Sequence, residues 1–349
     1  MAFMWWYLDV LDEDGNGCVC TFSNKLPFLP DAQLSNAPQR LAMNIVIYKH
    51  GQEDFYVLEE NEGSGYQSQV EDGVLSETWQ IGDYEVHRLI QNNTVQLRVE
   101  CKGNLDCAHR VQGTIEMTGA LLSCKSNPLP EDLHSGLFPK KSLLHQWLPI
   151  MTNCQADVNL KTSIAQYQFK GRGYHDSNIS THDLRDLNIQ FWWWGRIPFQ
   201  KGELIFYFLQ HDFLNQIMDF CLWVDEKQQV TFLPVRECKV LSYNSTIYGL
   251  SFPKKWTIET PQDVFEMTTI NILDDSPFYQ RFYLQVAHQG NVSTGFFEQV
   301  VPIRLNIPWQ QPFIRMRTHQ DTQYGSLFAP LFTGNRKGRV GRFLKNLFD

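Results

Sequence analysis

The amino-acid sequence predicts an all-β protein, built as sandwiches or barrels. Three observations carry this. Short runs rich in aromatic and β-branched residues recur along most of the chain, turn residues separate them at regular intervals, and long helical periodicity is scarce. WWYLDVLDEDGNGCVCTF reads as a hairpin turning at Asp14-Gly15-Asn16-Gly17. LAMNIVIYKHGQEDFYVLEE reads as a second, turning near His50-Gly51, and DYEVHRLIQNNTVQLRVECK as a third, turning at Asn92-Asn93. GTIEMTGALL and ADVNLKTSIAQYQFKG continue the pattern. Residues 124–141, CKSNPLPEDLHSGLFPKK, carry three prolines and read as a long loop. The strand rhythm then resumes with LNIQFWWWGRI, GELIFYFLQHD, FCLWVDEKQQVTFLPV, KKWTIETP, RFYLQVAHQG and FEQVVPIRL. A change of domain is placed near 180–186, giving domains over 1–180 and 181–349. The tail differs. In NRKGRVGRFLKNLFD, Val340, Phe343, Leu344, Leu347 and Phe348 fall at helical spacing among arginines and lysines. This predicts a short basic amphipathic helix. It either caps a barrel or rests as a foot on an anionic membrane, with 336–348 as the contact.

Composition narrows the function. The chain has 349 residues, 43% hydrophobic and 19% charged, with a formal net charge of −8. An acidic chain of this kind is a poor partner for nucleic acid, which needs a basic surface. The first twelve residues lack the basic start and small-residue cleavage site of a signal peptide. No apolar run reaches the ~18 residues of a membrane span. Eight cysteines without a CxxC pair match neither a disulfide framework nor a zinc site. The expectation is a soluble, cytoplasmic protein. His-Asp pairs at 175–176, 182–183 and 211–212 have no compact metal-ligand spacing, and GRGYHD lacks the glycine pattern of a dinucleotide site. Neither metal nor cofactor is expected.

The stretch GRGYHDSNIS, residues 171–180, concentrates polar chemistry. Strand alternation puts Tyr174, Asp176 and Asn178 on one face and His175 on the other. The same rule puts His145, Trp147 and Pro149 on one face of LLHQWLPIM. In FWWWGRI it joins Trp192, Trp194 and Arg196 and leaves Trp193 opposite. If such faces meet, they form an aromatic pocket holding one carboxyl. Burial favours the protonated carboxylic acid, so Asp176 becomes a candidate general acid. Tryptophan and tyrosine faces stabilise a cation by roughly 0.5–2 kcal/mol each. That combination suits protonation of an electron-rich alkene. The bland alternative stands beside it: Gly-Tyr-His-Asp-Ser-Asn is also ordinary turn chemistry, and three tryptophans in a row are also ordinary core.

The sequence resembles the carotenoid 1,2-hydratase (hydroxyneurosporene synthase) family and its lipocalin-like relatives. The residues carrying the resemblance are WWYLDVLDEDG, HQWLPIMTNCQADVNL at 145–160, GRGYHDSNIS and FWWWGRI, in matching order. The resemblance implies two consecutive lipocalin-like β-domains with a pocket near their junction. It also implies cofactor-independent addition of water to a terminal isoprenoid double bond. Its His-x-Trp pair falls on His145 and Trp147 and its Tyr-x-Asp pair on Tyr174 and Asp176, with the aspartate as proton donor. Trp192, Trp194, Arg196, His175 and Asn178 are the candidate substrate-binding residues. Two departures are visible. The WWY segment begins at residue 5, whereas relatives carry an upstream stretch, and Ile179-Ser180 stand where relatives tend to carry a glycine. Three outcomes stay open: a hydratase or terpenoid cyclase acting through a carbocation, a pericyclase for a polyene, and a non-catalytic carrier of an apolar ligand.

Overall fold

The computed structural model describes residues 3–26, 28, 40–62, 65–106, 110–122, 145–187, 189–211, 217–310, 313–314 and 318–320. The described residues are almost entirely β, arranged as two curled sheets. The strands are β1 (Phe3–Leu11), β2 (Gly17–Ser23), β3 (Arg40–Lys49), β4 (Gln52–Glu62), β5 (Tyr66–Glu71), β6 (Val74–Ile81), β7 (Tyr84–Gln91), β8 (Thr94–Lys102), β9 (Val111–Ala120), β10 (His145–Thr162) and β11 (Gln166–Ser180). They continue with β12 (Ile189–Phe199), β13 (Gly202–His211), β14 (Ile217–Asp225), β15 (Val230–Pro234), β16 (Glu237–Ser245), β17 (Ser251–Glu259), β18 (Val264–Asp275), β19 (Tyr279–His288), β20 (Asn291–Val300) and β21 (Thr318–Gln320). The expected long loop at 124–141 and the expected helix at 336–348 lie outside the described residues.

The described residues form two compact units, one of residues up to 122, 145–181 and 318–320, the other of residues 182–314. Each repeats one plan. In the first sheet the order is β21-β4-β3-β2-β1-β11-β10-β9-β8-β7-β6-β5. Strands β4 and β5 stand near opposite ends of that order, yet few residues join them. A twisted sheet with its ends so tethered must curl on itself. In the second sheet the order is β15-β14-β13-β12-β20-β19-β18-β17-β16, and Val235-Arg236 tether its two edge strands in the same way. In both sheets the first strand of the unit pairs with the last long one: β1 with β11 and β12 with β20. One short strand departs from the sequence expectation. Thr318–Gln320 pairs in parallel with β4, so it joins the first sheet and not the 181–349 domain. Backbone pairing of this kind leaves no trace in apolar rhythm.

Turn chemistry places the hairpins. His50 and Gly51 adopt φ of 50° and 68°, and Asn92 and Asn93 adopt 49° and 63°. These left-handed pairs are the two-residue turns whose twist matches the strands they join. The concave side of the first sheet is filled by Trp6, Leu8, Phe22, Phe55, Trp79 and Val99 among others, all buried. Burying each large side chain contributes about 1.5–3 kcal/mol. The second sheet is filled likewise by Phe206, Trp256, Phe282 and Phe297.

Candidate active site

Three adjacent strands of the first sheet build the site, with β11 between β1 and β10. Residues 171–180 are therefore extended strand and not the turn that their composition also allows. Gly171 and Gly173 explain the glycines. A Cβ on Gly171 would stand 2.6 Å from the Leu11 carbonyl oxygen, and one on Gly173 would stand 2.6 Å from the Met117 methyl. The bare backbone lets β11 lie close to its neighbours just before Tyr174.

Paired residues of antiparallel strands share a face. Ser180 lies between Phe3 and His145, Asn178 between Trp5 and Trp147, and Asp176 between Tyr7 and Pro149. Tyr174 lies beside Asp9. These rows form one patch, and Phe3, Tyr7, Asp9, His145, Trp147, Tyr174, Asp176 and Asn178 are all buried. Beyond Pro149 the register of β10 shifts, at Met151 and again before Cys154. The patch thus ends where β10 bulges, a common way to re-aim side chains at a site.

Asp176 is the centre of the patch. Its Oδ2 accepts hydrogen bonds from Trp147 Nε1 and from the Tyr174 hydroxyl, each at 2.8 Å. Its Oδ1 accepts from Asn178 Nδ2, also at 2.8 Å. Trp147 reaches Asp176 on the diagonal of the ladder. Two forces oppose each other on this carboxyl: burial favours the protonated form, and three donors favour the ionised one. Burial first, and then the Asp176 charge, push the Tyr174 hydroxyl well above its ordinary range, so it remains a donor. Burial lowers the His145 imidazole to about 4, partly opposed by a hydrogen bond with Asn178. His145 is therefore neutral at pH 7, with Phe3 and Trp5 at ring distances of 6.0 and 6.1 Å.

The structure thus brings His145, Trp147, Tyr174, Asp176 and Asn178 together. His175 lies on the opposite face, its Nε2 2.7 Å from Arg88 Nη1 and its Nδ1 2.8 Å from the Tyr7 carbonyl oxygen. Trp192, Trp194 and Arg196 share one face of β12 in the second unit, all buried. There Arg196 is ion-paired with the buried Glu203, and Trp192 packs on Tyr207 at 5.6 Å. Trp193 faces the second core and donates to Gln299 Oε1 at 2.9 Å. Tyr7 and Asp9 were missed among the candidates. Alternation along WWYLDVL would have grouped them with Trp5, but their place beside Asp176 and Tyr174 depends on the β1–β11 pairing. Among the described residues, no group of three His, Cys, Asp or Glu side chains is placed to hold a metal ion. No described helix is long and apolar enough to cross a membrane.

The family model described as carotenoid hydratase CrtC matches residues 27–325. The chain belongs to that family. It is 30% identical over 166 residues to a hydroxyneurosporene dehydrogenase of Chlorobaculum tepidum, covering 43% of this chain and 40% of that protein. It is 22% identical over 174 residues to the acyclic carotenoid 1,2-hydratase of Rhodobacter capsulatus, covering 50% of this chain and 58% of that protein. The chain therefore spans about half the length of these curated relatives. Among solved structures it is similar to CghA with Sch210972, at TM-score 0.59 and 12% identity over 85% of this chain and 87% of that one. It is also similar to a putative AttH from Nitrosomonas europaea, at TM-score 0.50 and 11% identity over 85% and 92%. At such identities these two likenesses speak for the fold.

Proposed function

We propose that this CrtC-family chain is a cofactor-independent hydratase that adds water across a terminal isoprenoid double bond of an acyclic carotenoid. The observation that carries the reading is the buried Asp176 carboxyl, bonded to Trp147, Tyr174 and Asn178 beside the neutral His145. Asp176 gives its proton to the less substituted alkene carbon, and the electron pair of the double bond forms the new C–H bond. The tertiary cation so formed is taken up by water, whose extra proton returns to the carboxylate. Oδ2 already receives two donors, which fill its lone pairs, so the proton is carried on Oδ1. The donors matter most after transfer. They stabilise the carboxylate left behind, which makes the protonated form a stronger acid towards a weakly basic alkene. The faces of Trp147, Trp5 and Phe3 stabilise the cation through their ring quadrupoles. His145 orients the attacking water through its neutral ring. The proposal uses residues of the first unit alone and assigns no step to Trp192, Trp194 or Arg196.

The test is incubation with linear carotenoids bearing a terminal isoprenoid end, in deuterated water. The expected product is a tertiary alcohol with one deuterium on the adjacent carbon. A ring product carrying deuterium would replace hydration by cyclisation. An unlabelled product would point to pericyclic chemistry, and tight binding without turnover to a carrier; either would overturn the acid step.

A further inference from the structure

We propose that Arg88 is a positioning residue for Asp176, acting from behind the strand through the two residues that flank it. The proposal rests on the reading of Asp176 as the acid. Arg88 stands on β7 and is buried on the concave side of the first sheet, where β11 presents His175 and Ser177. A single nitrogen, Nη1, lies 2.7 Å from His175 Nε2 and 3.2 Å from Ser177 Oγ. These are the residues immediately before and after Asp176.

The clip continues in both directions. Arg88 Nε and Nη2 donate to Glu77 Oε2 at 2.8 and 2.6 Å. Glu77 Oε1 accepts from the Tyr66 hydroxyl at 2.6 Å. The Trp6 ring centroid lies 3.9 Å from the guanidinium carbon. A guanidinium only donates, so His175 Nε2 must accept and Nδ1 must carry the hydrogen. Nδ1 then donates to the Tyr7 carbonyl oxygen at 2.8 Å, and Tyr7 is the β1 residue paired with Asp176. Burial first, then the Arg88 charge, keep this imidazole neutral. One continuous chain of bonds therefore fixes the pleat on both sides of Asp176 and the strand across from it. An ion pair serving only to fill the interior would be complete with Glu77. Here the remaining guanidinium nitrogen goes to β11 instead. Holding a reacting group in place matters because a displacement near 1 Å lowers rate by about 10²-fold.

Three variants separate positioning from packing. Arg88→Lys keeps the charge but loses the planar fork. The double variant Arg88→Met with Glu77→Gln removes both charges at similar volume, and Ser177→Ala removes one bond. The readouts are kcat and KM on the carotenoid, thermal unfolding, and the indole N–H signal of Trp147 in a ¹⁵N-labelled full chain, assigned by its loss in Trp147→Phe. The expected result is cooperative unfolding with a shifted Trp147 signal in all three. The first two should lose about 10–10²-fold in kcat with KM within about 3-fold, and Ser177→Ala a few-fold. If Arg88→Lys does not fold, the other two variants decide. Folded variants with an unmoved Trp147 signal and unchanged kcat would overturn the proposal. Failure of the acid reading shows elsewhere, as full activity in Asp176→Asn.

Discussion

Replacing Asp176 by asparagine tests the site with little change of shape. The carboxylate accepts three hydrogen bonds, two on Oδ2 and one on Oδ1, all at 2.8 Å. With the amide oxygen placed toward Trp147 and Tyr174, the new amide nitrogen faces Asn178 Nδ2, donor against donor. The Asn178 amide relieves this by turning over, which presents its Oδ1 to the new amide nitrogen. Hydrogen bonds to a charged group contribute about 1.5–3 kcal/mol and neutral ones about 0.5–1.5. Release of a buried charge offsets part of that difference. The net destabilisation is therefore about 1–3 kcal/mol, which leaves the chain folded. The chemistry changes far more, because an amide has no proton of comparable acidity. Loss of a general acid lowers rate by roughly 10²–10⁴-fold, or ~3–5.5 kcal/mol of barrier. The assay follows alcohol formation from a linear carotenoid at equal concentrations of folded protein, with urea unfolding run in parallel. A rate within about threefold of the unaltered chain, at matched folded fraction, would refute the assignment.

Tyr174→Phe removes one donor from the same carboxylate oxygen; at about 1.5–3 kcal/mol the expected loss is about 10–150-fold in kcat, and an unchanged steady-state kcat would defeat it. His145 contributes a pH dependence of stability. Its imidazole is held at about 4 in the fold against an ordinary 6.5, so between those values the unfolded chain binds the extra proton. Stability present above pH 6.5 is thus lost as pH falls toward 4, by up to ~1.4 kcal/mol per pH unit. Denaturant titrations of the native chain and of His145→Gln should converge across that window, and parallel curves would contradict the effect. In the second sheet, Arg196→Met removes a counter-charge of the buried Glu203 and should destabilise by about 3–5 kcal/mol. Adding Glu203→Gln should recover most of this in urea unfolding; equal losses in the single and double variants would show that the charge is not the cause.

Hairpins and faces were legible in the sequence because both are local. Asn92-Asn93 and His50-Gly51 announce turns through the residues that tolerate left-handed backbone. The pleat alone separates His175 from Tyr174 and Asp176. Pairing partners were not legible, because they join distant stretches. The bond from His175 to the Tyr7 carbonyl spans 168 residues, and that from Arg88 to His175 spans 87. No local pattern records which strands become neighbours, so Tyr7, Asp9 and Arg88 escaped notice. Trp192, Trp194 and Arg196 show the converse. Their shared face follows from alternation, but the partner of Arg196 is Glu203 on the next strand of the same sheet. GRGYHDSNIS was ambiguous because glycines serve both turns and close strand approach, and only the positions of Leu11 and Met117 decide between them.

The two-sidedness of β11 also shapes how such a protein can change over time. Even-numbered positions from Tyr174 to Asn178 face the candidate site, whereas His175 and Ser177 face the interior. On β1 the parity is reversed, with Phe3, Trp5, Tyr7 and Asp9 facing the site and Trp6 and Leu8 in the core. Substitutions at Phe3 and Trp5 on the candidate-site face therefore leave the core-facing Trp6 and Leu8 in place. A combinatorial library confined to Phe3, Trp5 and Ser180 would vary the lining of the candidate site while keeping Asp176 and its hydrogen-bond donors.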